Sequence, residues 1–76
     1  MNIMTSLKLD FESENDLYYS LLKEEDFDFK TKDITIDVIR TEGIDVNVVC
    51  GSVLELKIAT NALIKSLEVI EKSLNV

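Results

Sequence analysis

Catalytic chemistry needs a nucleophile, a base or a metal ligand, and this chain offers few. It has one cysteine, Cys50, no histidine, and fifteen aspartates and glutamates. Histidine is the commonest general base near neutral pH and the commonest metal ligand, so both routes narrow at once. Cys50 ends an alternating apolar run with no basic cluster to lower its thiol pKa, and it reads as a reduced core cysteine. The acidic positions Glu24, Glu25, Asp26, Asp28 and Asp33 lack the alternating oxygen ligands and turn glycine of a calcium loop, and they read as a solvated charge run. Gly43 and Gly51 are the only glycines. There is therefore neither a glycine-rich phosphate cradle nor the GxxG loop that clamps RNA in KH domains. The sequence predicts no enzyme, no cofactor and no metal.

The formal net charge is −7, with eight lysines and arginines scattered along the chain. Nucleic-acid affinity comes largely from cations on phosphates. In a nucleic-acid machine another subunit would have to supply most of the positive charge; the plainer alternative is that the acidity keeps a small protein in solution. A lone cysteine excludes an internal disulfide framework and suits a reducing cytoplasm. No apolar run approaches the ~20 residues of a membrane span, and no signal peptide is recognisable. The 76 residues, 46% of them apolar, predict one ordered domain over 1–76. A domain of this size buries only about 60% of its unfolded surface, so burial against a partner would stabilise it.

The element that organises the chain is a long amphipathic helix over 52–74. Ser52 followed by Glu55 forms a capping box. Leu56, Ala59, Leu63, Leu67, Ile70 and Leu74 make one apolar stripe. Ile58, Ala62 and Val69 lie on a different side, and Lys57, Asn61, Lys65, Glu68 and Lys72 crowd the remaining arc. One stripe suits the domain's own core. The second asks for a partner, and Leu54, Ile58 and Ala62 have the i, i+4 spacing of helix-in-groove anchors.

The rest of the chain supplies a sheet and a shorter helix. Ser6–Glu12 alternates, with Leu7, Leu9 and Phe11 on one face, and predicts a strand. Ser13 is the expected N-cap of a helix over 14–25, with Leu17, Tyr18, Leu21 and Leu22 on its apolar side. One of Tyr18 and Tyr19 should be core and the other exposed. Phe27 and Phe29 are expected to pin the acidic connection that follows to the core. Ile34–Arg40 and Ile44–Cys50 alternate again. A Thr41–Gly43 loop places Val46 opposite Val38 and Val48 opposite Ile36, the register that keeps one apolar face. Gly43 is expected to be left-handed there. The order βαββα, with a right-handed crossover, predicts an α+β two-layer sandwich. Its three-stranded sheet has the order 1-3-2, with two helices on one face. The outer edge of the first strand is open for pairing, including with a second copy.

Leu56-Lys57-Ile58-Ala59-Thr60-Asn61-Ala62-Leu63-Ile64-Lys65 resembles the signature helix of the small KEOPS-complex subunit, the Pcc family, which reads Leu-Arg-Ala-x-x-Asn-Ser-x-Leu-Arg. Cys50, Gly51 and Ser52 stand where that family has Ala-x-Asp before the helix. Ser20-Leu21-Leu22-Lys23-Glu24 stands where it has Ser-Leu-x-Pro-Glu. Lys57 keeps the charge of the family's arginine without its bidentate fork. The resemblance implies a non-catalytic scaffold and dimerisation subunit of the complex that makes N6-threonylcarbamoyladenosine in tRNA. It implies a cytoplasmic homodimer that binds the catalytic threonylcarbamoyl-transferase through its helices and meets tRNA only through the complex. The implied partner-binding residues are Tyr18 and Leu22 on the first helix and Leu54, Lys57, Ile58, Asn61, Ala62, Lys65 and Val69 on the second. Two other classes stay open. A KH-like RNA-binding domain would need the missing GxxG loop. A small ligand-sensing regulatory domain would need a fourth strand after the second helix, and the pattern predicts none.

Overall fold

A computed structural model describes residues 2–25, 27, 29 and 33–74. The expectations for Asp26 and Asp28 lie outside the described residues. The elements are β1 (Ile3–Leu9), α1 (Asn15–Glu24), β2 (Thr35–Arg40), β3 (Ile44–Cys50) and α2 (Val53–Leu74), with a short 3₁₀ turn at Glu12–Glu14 before α1. The sheet has three strands in the order β1-β3-β2. Both outer strands run antiparallel to β3 and so parallel to each other. This is the predicted α+β topology.

The register follows the side chains. Val38 pairs with Val46 and Ile36 with Val48; on the other side Leu7 pairs with Val46 and Ile3 with Cys50. Ile44, Val46, Val48 and Cys50 are buried, while Asp45, Asn47 and Val49 alternate onto the outer face. The helices cover the inner face. Ala59, Leu63 and Ile70 of α2 join Tyr18 and Leu22 of α1 in one core with the β3 side chains. Leu56, Leu67 and Leu74 pack partly buried against it, so the predicted inner stripe of α2 is the one used. At 1.5 Å per residue a 22-residue helix spans about 33 Å. That length sets the long axis of the molecule, whose Cα extents are 39 × 25 × 16 Å. Phe27 and Phe29 pack against the core with ring centroids 6.3 Å apart, as expected of loop anchors.

Three local expectations are corrected. β1 lies at Ile3–Leu9 rather than Ser6–Glu12. Its ladder runs out where β3 begins, at Leu9↔Ile44, and Asp10 then turns the chain by accepting the Glu12 N–H at 2.9 Å. Phe11 therefore leaves the sheet, and its ring stacks on Tyr18 with centroids 3.8 Å apart. Ser13 does not cap α1. The helix begins at Asn15, and Glu14 in the N-cap position makes no side-chain capping bond.

Gly43 is not left-handed either; no described glycine has positive φ. The turn is drawn together from outside its own backbone angles. Arg40 Nη1 donates to the Thr41 and Gly43 carbonyls, and Asn15 Nδ2 donates to the Glu42 carbonyl at 3.3 Å. Glycine is needed for space: a Cβ at position 43 would collide with the backbone carbonyl oxygen of Leu9.

Candidate functional site

The exposed apolar surface is concentrated on α2. Ser52 fixes where that helix begins: its hydroxyl accepts the Glu55 N–H at 3.1 Å, and Glu55 Oε1 accepts the Gly51 N–H at 2.8 Å. The reciprocal arm of the capping box thus reaches Gly51, one residue earlier than the usual N-cap N–H. From this start, steps of about 100° place Ile58, Ala62 and Val69 together, roughly 120° round from Leu63. Ile58 is 43% exposed, Val69 59% and Leu54 67%. These are large apolar side chains that the domain's own core does not cover.

The flanks of this stripe differ. Towards α1 lies a cleft of about 330 Å³ lined by Leu21, Glu24 and Glu25 on one side and Val69, Ile70 and Ser73 on the other. Leu17, one turn before Leu21, is also exposed. On the far flank stand Lys65 and Lys72, with Lys57 and Asn61 further round the helix; all four are exposed. The described structure gives neither Lys65 nor Lys72 an ion-pair partner. Ala62 is half-buried.

Tyr18 and Leu22 are placed differently from the other candidates. They are only 5% and 1% exposed and belong to the core. Tyr18 stacks on Phe11, and burial, with Glu71 and Glu14 near by, raises its hydroxyl pKa above the ordinary 10.0. On the apolar side of α1, Leu17 is exposed and Leu21 is partly buried against the core. Tyr19 takes the outward place of the tyrosine pair, half-buried, with Lys23 Nζ 6.0 Å above its ring.

Sequence reasoning missed several exposed apolar residues. Val53 and Ile64 lie on a third side of α2, and Met4 and Ile39 lie on the outer sheet face. The same 100° steps would have found the first two. The last two sit at the polar positions of their strands, where an apolar residue is itself the signal.

A second cluster gathers where β1 ends and the β2–β3 hairpin turns. Asn15, 4% exposed, joins it: its Oδ1 accepts the Phe11 N–H at 2.6 Å and its Nδ2 donates to Asp10 Oδ1 at 3.0 Å. Arg40 Nε meets Asp16 Oδ1 at 2.9 Å. The Glu12 N–H and the Asn15 amide hold the Asp10 carboxyl below its ordinary pKa. Asn15 Nδ2 and Arg40 Nε and Nη1 are all turned onto the protein's own chain, so this cluster fastens the end of β1, the start of α1 and the hairpin together. Among the described residues no group of three or more histidine, cysteine, aspartate or glutamate side chains is placed to hold a metal, and no helix is long and apolar enough to cross a membrane.

No family model, curated protein or solved structure matches this chain.

Proposed function

We propose that this chain is a non-catalytic scaffold: the dimerisation subunit of a KEOPS-type complex that makes N6-threonylcarbamoyladenosine in tRNA. In this reading it works in the cytoplasm and binds the catalytic threonylcarbamoyl-transferase through its helices. The observation that carries the proposal is the outer stripe of α2, where Leu54, Ile58 and Val69 stay exposed although the helix is locked to the core by its other side. The stripe overlaps the segment 56–65, whose sequence resembles the Pcc signature helix. Burying one such side chain in an interface is worth roughly 1.5–3 kcal/mol, so a few of them could hold a partner helix.

The homodimer part of the proposal draws on β1. It is an edge strand of seven residues whose only charge is Lys8. A long edge with little charge favours pairing with another strand, and a second β1 would extend the sheet to six strands. The net charge of −7 supports an indirect relation to tRNA, through basic partners.

Ile58→Asp tests the reading. The variant should keep its circular dichroism and unfolding transition, because Ile58 makes no part of the core, yet it should lose capture of the purified transferase. Undiminished capture would sink the assignment. Light scattering at high protein concentration tests the dimer, and a persistent monomer would count against it.

A further inference from the structure

The two walls of the cleft beside Val69 carry opposite charge. Glu24 and Glu25 line the α1 side. Lys65 and Lys72 rise on the far flank of the exposed stripe; Glu68, one turn from each, stands further round the helix, so the two lysines are the charges nearest the stripe. The remaining cation of that turn of α1, Lys23, is turned over the Tyr19 ring. Between the walls the floor is apolar: Leu21, Val69 and Ile70, continued along α2 by Ala62 and Ile58. A floor of this kind takes the apolar face of a helix. The walls then act on that helix's two flanks.

We infer that the cleft between α1 and α2 receives one amphipathic helix of another protein, basic along one flank and acidic along the other, and that this polarity fixes the direction in which the helix lies. Basic side chains on the guest meet Glu24 and Glu25, and acidic ones meet Lys65 and Lys72. Turning a helix end for end about the normal to its binding face exchanges its left and right flanks. A guest with unlike flanks therefore fits in one direction and meets like charges in the other. A guest with uniform flanks meets repulsion on one side in either direction. The inference rests on reading the outer face of α2 as a docking surface, and it adds the chemistry and direction of what docks there.

Synthetic helical peptides with a leucine face test it. Four are needed: one with lysines on the left flank and glutamates on the right, its isomer with the flanks exchanged, and two controls, one with all-lysine and one with all-glutamate flanks. Both mixed peptides should bind about tenfold more tightly than either control at a salt concentration high enough to screen the chain's net charge of −7. A nitroxide on the peptide N-terminus should broaden amide signals near Leu54 for one isomer and near Ser73 for the other. The protein variant E24K/E25K/K65E/K72E, altered only at exposed sites, should exchange these two patterns. Equal binding of mixed and uniform peptides, or broadening at the same end for both isomers, would overturn the inference. So would a self-associated chain that Val69→Asp dissociates, because the occupant would then be a second copy. Transferase capture separates this inference from the proposed function. Direction-sensitive peptide binding without capture defeats only the KEOPS reading, and capture without direction sensitivity defeats only the inference.

Discussion

The two helices begin in opposite ways. At the start of α2, Ser52 and Glu55 exchange hydrogen bonds with backbone groups no more than four residues away. At the start of α1, no side chain caps the helix from the N-cap position. There the first helical residue, Asn15, is buried and ties the turn before it to Asp10, Phe11 and the Glu42 carbonyl on the distant hairpin. One start is set wholly by local sequence; the other adds a tertiary bond, to the Glu42 carbonyl, to two short-range ones. A local cap costs one interaction to lose. The fastening at α1 should cost several, because one buried side chain, Asn15, makes three part-buried bonds at once.

Asn15→Ala should therefore give the largest effect. It removes three hydrogen bonds at a residue 4% exposed, and we expect about 2–3 kcal/mol of destabilisation in urea unfolding. A loss no greater than that of a surface alanine would show that the fastening is not what holds α1. Gly43→Ala attacks the same place from the other side. Its Cβ would meet the Leu9 carbonyl, and overpacking of this kind costs about 1–3 kcal/mol. Wild-type stability in that variant would mean that the hairpin and β1 can part freely. At the local cap, Ser52→Ala should cost about 1 kcal/mol, with Ser52→Asp restoring it. Should Ser52→Ala cost more than Asn15→Ala, the contrast between the two starts fails.

The smallest expected effect is one of pH. Asp10 is held below its ordinary pKa of 3.8 by the Glu12 N–H and the Asn15 amide. Its contribution is complete above that value and is lost as pH falls through the lower folded-state pKa, because the unfolded chain then binds the proton first. Asp10→Asn should lower stability slightly in the neutral region and flatten the acid limb below about pH 4, so that the variant and the parent converge in acid. An unaltered acid limb would remove Asp10 from the fastening.

This contrast also explains what could be read from the sequence. The α2 cap, its inner stripe and the β2–β3 register all follow from periodicity or from residues a few positions apart, and all three are found where expected. The boundary of β1 is set by where β3 begins, at Ile44. The start of α1 is fastened by Asn15 turned inward, with no side-chain cap at the N-cap position, where Ser13 was the local candidate for one. The need for glycine at position 43 answers to the Leu9 carbonyl across the fold, not to a left-handed turn. No local pattern carries that information. The docking residues divide in the same way. The exposed places of Ile58 and Val69 follow from helical geometry, whereas the burial of Tyr18 depends on Phe11 leaving the sheet to stack on it.

The position of β3 has a consequence for how the chain assembles. β3 lies in the middle of the sheet, yet it is the last strand to be synthesised. Arg40 reaches Ile44 across a tight loop, so the β2–β3 pair closes at little entropic cost. Ile3 must wait for Cys50. On the ribosome β1 therefore emerges first and pairs last, and the rate of folding is set by this long closure rather than by the hairpin.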